Sequence, residues 1–489
     1  MEFNWPLLGL AINIILFLIP LVMLFIVPVN RRPTSAIAWL LLIAMLPLIG
    51  LLLFWLFGRT KLPRRRREQQ RAMDEWIAER VAQARRNPGL ASLLAPAVPP
   101  RYQPFAQLNA TLGGLPVVSG NRVELLAGYD AFLQRLAADI DAAQRYVHLE
   151  FYALCRDVET EPVFLALERA ARRGVKVRVL MDHYGSLVYF FPYRAMRRSL
   201  TQAGIEHHVM LPLGIVNGEF PRFDLRNHRK LAVIDGACGY LSSHNLIRRN
   251  YFRRDEIIYD ELAARVAGPV VAELEAVFAT DWHAETGVIL ARDRFPELDT
   301  EIEPQGETLA QVLPSGPGHV YDNNLKLFVA LCYAARRRLV LVTPYFVPDE
   351  SFLLAVTTAA QRGVEVTLIN SEAADQFFTY HAQRSYYEAL LRAGVRIYLH
   401  RPPVLLHTKS ISVDDDIAVI GSSNLDIRSF RLSLEVTLVI PDRQVVADLR
   451  RIEADYLQRS APLELERWLE RPWMARLPDN LARLTSSLQ

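Results

Sequence analysis

One short pattern occurs twice in this chain. His228-Arg229-Lys230-Leu231-Ala232-Val233-Ile234-Asp235 is followed by Ser243 and Asn245, and His407-Thr408-Lys409-Ser410-Ile411-Ser412-Val413-Asp414 by Ser422 and Asn424. Both read HxKxxxxD and then Ser-x-Asn at the same offset. What precedes each copy is also repeated. Strand-like Arg145–Tyr152, a helical stretch, Gly174 and strand-like Val175–Met181 match Arg338–Val342, a helical stretch, Gly363 and Val364–Ile369. Gly174 and Gly363 lie 189 residues apart, and Ala203-Gly204-Ile205 and Ala393-Gly394-Val395 lie 190 apart. The histidines are separated by 179, so the first copy has a connection 11 residues longer before its motif. Alternating strands and helices predict mainly parallel sheets with helices on both faces. A period this long marks a duplicated domain, because solenoid repeats run only about 20–50 residues.

Lysine usage sets the motif apart. Only five of the 56 basic residues are lysine, and two of the five stand two residues after a histidine in equivalent places. On a strand, positions i and i+2 project to one face, so each histidine and lysine stand side by side. A neutral imidazole there can attack phosphorus while the adjacent ammonium neutralises phosphate oxygens. Ser243, Asn245, Ser422 and Asn424 can donate hydrogen bonds to the same phosphate. Asp235 and Asp414 complete the motif, but seven residues is an odd offset, which turns them to the other face and suits them to fixing a turn. His148, His183 and His319 lack this context and read as packed core or loop residues. No His/Asp/Glu cluster has ligand spacing, and a lysine between ligands would repel a cation, so neither metal nor cofactor is expected.

The chain opens with two apolar stretches, about Leu7–Val29 and Ala36–Phe57, joined by Asn30-Arg31-Arg32-Pro33-Thr34-Ser35. Each has the roughly 20 residues that a membrane span needs, which predicts a transmembrane hairpin over residues 1–60. A secretory signal is excluded by the missing basic n-region, the missing cleavage site and the second apolar stretch. Arg59, Lys61, Arg64, Arg65, Arg66, Arg67 and Arg71 follow, against two arginines in the link, so both termini and the catalytic body are expected in the cytoplasm. This basic linker, residues 61–100, can also meet anionic lipid head groups. Residues 1–71 carry a net +7 and the remainder a net −4. An acidic body argues against nucleic acid as a partner, since phosphate contacts dominate that affinity. Three cysteines without CxxC spacing give no disulfide framework.

The paired motifs resemble the HKD signature of the phospholipase D superfamily. The basic-proline turn leading into Ala38-Trp39-Leu40-Leu41 is similar to that of bacterial cardiolipin synthases. So are Pro314-Ser315-Gly316-Pro317, Thr343-Pro344-Tyr345-Phe346-Val347-Pro348, Asp281-Trp282 with Glu285-Thr286-Gly287, and Asn424–Phe430. The resemblance implies an α/β fold: two phospholipase D-like αβα sandwiches in pseudo-twofold arrangement, residues 101–300 and 301–489, the second with a helical tail. It implies one site holding both histidines and no metal. One histidine would form a phosphatidyl-histidine and the other act as general acid, then base. It also implies a carboxylate shortly after each Asn that orients the histidine. Glu435 fits the second motif at 28 residues from His407, and Glu256 the first at 28 residues from His228. The first motif departs from the family at Ser242, where glycine is usual; a serine there can crowd the backbone near phosphate.

The reading that follows is phosphatidyl transfer between two phosphatidylglycerol molecules at the bacterial inner membrane, by a multi-pass protein with cytoplasmic catalytic domains. Hydrolysis, or transfer to another alcohol, uses the same chemistry. A tethered nuclease would need a basic body, and a non-catalytic scaffold would have lost an HKD residue. The C-terminal Trp468, Arg471 and Trp473 suit either an interfacial helix or ordinary packing.

Overall fold

The computed structural model describes residues 5–29, 31–58, 61–187, 190–214, 222–251, 256–291, 302–484 and 486. Asn30 of the expected hairpin link and Arg59 of the basic run lie outside them. The first half contributes strands β1 (Val118–Ala127), β2 (Tyr146–Phe151), β3 (Lys176–Asp182), β4 (Glu206–Met210), β5 (Arg226–Asn227), β6 (Lys230–Ile234), β7 (Cys238–Ser242), β8 (Ile258–Asp260) and β9 (Leu262–Ala267). The second contributes β10 (Thr308–Ser315), β11 (Arg338–Val342), β12 (Phe346–Val347), β13 (Glu365–Ser371), β14 (Arg396–His400), β15 (Val404–Leu406), β16 (Ser410–Val413), β17 (Ile417–Gly421), β18 (Leu425–Asp426), β19 (Ser433–Ile440) and β20 (Ser460–Leu463).

The duplication is visible in the strand order. The main sheet runs β20-β14-β13-β11-β16-β17-β19-β10-β1-β9-β7-β6-β2-β3-β4, so apart from edge strand β20 each half is the mirror sequence of the other about the β10–β1 pair. The sheet is not mainly parallel as expected: β2, β3 and β4 pair in parallel, as do β11, β13 and β14, but the motif strands β6 and β16 run antiparallel to β2 and β11, and the other neighbours along this path are antiparallel too. The central strands are buried on both faces, which is why Leu339–Val342 is an uninterrupted apolar run, while Val147–Phe151 buries His148 and Glu150 among its apolar residues. The halves do not divide cleanly at residue 101. The helix Gln103–Gly113 buries Phe105, Ala106 and Leu112 in the core of the second half, beside Leu327, Phe328 and Leu331.

The N-terminal region departs from the expected pair of spans. Helices α1 (Trp5–Ile26), α2 (Pro33–Met45) and α3 (Pro47–Phe57) replace them, and among the described residues no helix is long and apolar enough to cross a membrane. Pro47 is the cause in the second stretch: it has no N–H to donate and disfavours a helical residue before it, and Leu46 sits at φ −135°, ψ 73°. Gly50 then lets α3 fold against α2, since a Cβ there would lie 2.7 Å from Ile43 Cα. The basic linker is not loose either. It forms α4 (Arg64–Arg86), which buries Met73, packs Trp76 and Ile77 on a core that both halves share, and ties Arg66 to Glu285 at 2.7 Å and 2.8 Å.

The motif aspartates close the turns after β6 and β16. Asp235 Oδ1 accepts from the backbone N–H of Arg145 and Tyr146, each at 2.8 Å, and Oδ2 from Gln144 at 2.7 Å. Asp414 Oδ1 does the same for Arg337 at 2.7 Å and Arg338 at 2.9 Å. Both sit at positive φ, 54° and 48°, which aspartate tolerates better than most residues. They therefore anchor the start of β2 and β11, roughly 20 Å along the strand from the histidines. Asp414→Ala should cost about 2–4 kcal/mol of stability by stranding those donors. Denaturant unfolding with rate measured per folded molecule checks this; a fully folded variant that has lost its rate would return Asp414 to the chemistry.

Candidate active site

Each motif histidine is seated by the opposite half of the chain. β5 lies parallel to the start of β19, pairing Arg226 with Ser433 and Asn227 with Leu434, and His228 N donates to Leu434 O at 2.9 Å. β15 lies parallel to β8, pairing Leu406 with Asp260, and His407 N donates to Asp260 O at 2.7 Å. The next residues on the partner strands are Glu435 and Glu261. Their carboxylates consequently meet the imidazoles: His228 Nδ1 to Glu435 Oε1 at 2.9 Å, and His407 Nδ1 to Glu261 Oε1 at 2.5 Å.

This corrects both expected carboxylates. Glu435 orients His228, not His407, and Glu256 is an exposed residue before β8. Ser422 N donates to Val436 O and Ser243 N to Leu262 O, which makes Glu435 and Glu261 structural equivalents. Equal counting from the histidines failed because the first half has five more residues between its Asn and its glutamate. The signal available in the sequence was a glutamate opening an apolar strand, Glu261-Leu262-Ala263-Ala264 and Glu435-Val436-Thr437-Leu438.

The lysines share the pocket. Lys230 Nζ donates to His228 O and Lys409 Nζ to His407 O, both at 2.6 Å, which leaves each ammonium two further protons. Tyr152 lies against the first pair, 5.1 Å from the His228 ring and 5.3 Å from Lys230 Nζ. Tyr259 stands edge-on to His407 at 5.5 Å. The two aspartates of the motif are not in the pocket.

Neither motif serine is available to a substrate as expected. Ser243 Oγ donates to Leu262 O and accepts from Leu262 N, and Ser422 Oγ donates to Glu435 Oε2 at 2.5 Å. Each hydroxyl has one proton, and it is committed within the protein. Asn245 accepts from Ala153 N at 3.2 Å and donates to Tyr251 at 3.0 Å. Asn424 Oδ1 is buried without a hydrogen-bond partner among the described residues. Ser242 lies opposite Ala263 across β7–β9, where Gly421 lies opposite Thr437. At Gly421 a Cβ would lie 2.5 Å from Val436 O.

The electrostatics of the two halves differ. Burial holds His228 well below its usual range, with Lys230, Lys409 and Arg428 adding to the effect. Burial and Lys409 bring His407 down to about 3 despite Glu261. Both rings are thus neutral, and with Nδ1–H given to a carboxylate the free lone pair is on Nε2. Burial raises Glu435 to about 7 against the pull of Lys230, Ser422 and Ser429. Burial also acts to raise Glu261, but His244 and His407 outweigh it and hold the carboxyl at about 2. His244 Nδ1 is 3.0 Å from Glu261 Oε2 and stacks on Phe132 at 4.4 Å, an arrangement the second half lacks because Ser423 occupies its place. Both lysines are lowered to about 7, Lys230 by burial and Lys409 by burial and the charge of Lys230.

This fold and this paired histidine–lysine site define a phospholipase D-like enzyme. Residues 136–282 and 329–455 match the family described as cardiolipin synthase, PLD-like domain, and residues 14–59 match phospholipase D-nuclease N-terminal. Cardiolipin synthase A of Yersinia pseudotuberculosis serotype O:1b (strain IP 31758) is 38% identical over 474 residues, covering 94% of each chain. That of Klebsiella pneumoniae (strain 342) is 36% identical over 470 residues with the same coverage. The crystal structure of a phosphatidylserine synthase from Haemophilus influenzae Rd KW20 covers 80% of this chain and all of its own, with a TM-score of 0.60 at 15% identity, a likeness of fold. The chain belongs to the cardiolipin synthase family of phospholipase D-like proteins, and it is an enzyme of the phosphatidyltransferase type.

Glu261→Gln should lower kcat roughly 10²-fold or more by removing the partner that sets the His407 tautomer, while Glu256→Gln should leave it unchanged. Steady-state rates of the two variants decide between the carboxylates, and equal losses would reject the assignment. The lysines give a pH signature. Their folded pKa is depressed to about 7, so the ammonium form is lost above that pH in the free enzyme. The kcat/KM profile should fall above pH about 7, and the limb in kcat should move to higher pH, because bound phosphate favours the charged lysines. Coincident alkaline limbs in both profiles would show that the lysines do not meet the phosphate.

Proposed function

We propose that this enzyme makes cardiolipin by moving a phosphatidyl group from one phosphatidylglycerol to another with release of glycerol. The observation that carries this reading is the pair of Nδ1-anchored, neutral histidines seated with two lysines in one pocket. One histidine attacks phosphorus through Nε2, and the bond from phosphorus to the head-group glycerol oxygen breaks. The other histidine takes up a solvent proton on Nε2 as the anionic phosphodiester binds and passes it to that oxygen, so neutral glycerol leaves and a phosphatidyl-histidine remains. The same second histidine then removes the proton from a hydroxyl of the incoming phosphatidylglycerol, whose oxygen displaces the imidazole to form the second phosphodiester. Lys230 and Lys409 balance the charge on the phosphate oxygens at each step, and Asn245 and Asn424 are proposed to contact them.

Because bonds of the same kind are broken and formed, the transfer should run close to equilibrium. With phosphatidylglycerol in vesicles, cardiolipin and free glycerol should appear in equal amounts, and added labelled glycerol should exchange into phosphatidylglycerol. His228→Ala and His407→Ala should each abolish both. Phosphatidic acid as the main product, without glycerol exchange, would make the enzyme a hydrolase.

A further inference from the structure

The second apolar stretch does not run away from the catalytic body; it returns to it. Its contacts are nested about Leu46–Pro47: Gly50 lies against Ile43, the Phe54 ring meets Trp39 edge-on at 5.4 Å, and Arg31 Nη2 donates to Gly58 O. Helices α2 and α3 are therefore an antiparallel hairpin whose two feet are adjacent. Both feet stand on the catalytic body. Arg32 pairs with Asp349 at 2.5 Å, and Phe57 meets Phe223 edge-on at 5.0 Å. Phe223 is five residues before His228, and Asp349 follows β12, which pairs with the β18 strand next to Asn424. The hairpin thus rises beside the mouth of the site.

Its outer surface is apolar and uncovered. Ile37, Leu41, Met45, Leu48, Ile49 and Leu52 are 54–79% exposed, and residues 33–58 contain no charge. Charge begins only at the feet, with Arg31 and Arg32 on one side and Lys61 and the α4 arginines on the other. At about 1.5 Å per residue, α2 reaches about 20 Å and α3 about 17 Å. A bilayer is about 40–45 Å thick with its head groups, so this depth is one leaflet. A second apolar rim lies at the same mouth. Asp375 accepts from Tyr259 and Tyr345, both beside His407, and the next helix opens with Phe377 and Phe378, 63% and 60% exposed.

We propose that α2–α3 is a re-entrant wedge: it dips into the one leaflet that faces the catalytic mouth and returns to the same side. The occupant of its surface is the acyl region of an anionic leaflet, with the basic feet at the head groups. The Arg31–Arg32 turn, the α4 arginines and the catalytic body then share one side of the membrane, contrary to a spanning hairpin, which would place the turn opposite the body. The mouth is held against lipid head groups without any segment between Pro33 and Phe57 crossing.

Single-cysteine labelling in sealed membrane vesicles of both orientations tests this on the full chain; native Cys155, Cys238 and Cys332 are buried and give little background. Arg451→Cys, on an outer helix, marks the side of the body. A membrane-impermeant maleimide should label Thr34→Cys from that side only. Met45→Cys and Leu48→Cys should resist labelling from both sides and react after detergent. Labelling of Thr34→Cys from the side opposite Arg451→Cys would overturn the wedge in favour of a spanning hairpin. Ready labelling of Met45→Cys from the body side in intact vesicles would overturn it in favour of a surface covered by protein, such as a second copy. Neither readout depends on which lipid product the enzyme makes.

Discussion

The site exists because two short strands cross between the halves. β5 and β15 leave their own halves, pair in parallel with the far half, and deliver His228 and His407 to glutamates that begin the neighbouring residue on. Either half alone would hold a histidine without its carboxylate and a carboxylate without its histidine. The duplication is therefore not two sites but one, and its symmetry is in the exchange. The continuous sheet through β10 and β1 sets the geometry of that exchange, since the pairing tolerates little relative movement of the halves.

Bringing these groups together is costly. Two lysines, two glutamates and His407 are buried in one pocket with His228 partly so, and each unpaired ion there would carry a penalty of several kcal/mol. The depressed lysines and neutral rings are the response to that burial. The halves do not meet the problem identically. His244 beside Glu261 keeps that carboxylate ionised, whereas Glu435 relies on the hydroxyls of Ser422 and Ser429 and has a raised pKa. Near-equal motifs thus give the two histidines unequal partners.

Much of this was legible in the linear chain, and the reasons differ by residue. The HxKxxxxD pairs, the α/β alternation and the structural part of Asp235 and Asp414 follow from strand periodicity, which is a local property. The second apolar stretch was legible as apolar but not as a span. Pro47 broke it, and a mean over twenty residues hides one missing donor. Trp468 shows the same limit: Arg471 stacks over its buried ring at 3.1 Å, so that part of the tail is core packing, while Trp473 is exposed.

The sequence by itself determined that there are two copies of one unit, that each ends in a histidine and a lysine on one strand face, and that apolar helices precede them. Those facts depend on neighbours within a few residues. Only the tertiary structure decided that the first-half carboxylate is Glu261 rather than Glu256 and holds His407, that Glu435 crosses to His228, and that α3 comes back to where α2 began. These are contacts between residues 146 and 207 positions apart, and between the ends of a turn that opens at a single proline. Backbone pairing across the two halves sets the first two and the loss of one helical hydrogen bond sets the third, and neither leaves a periodic trace in the chain.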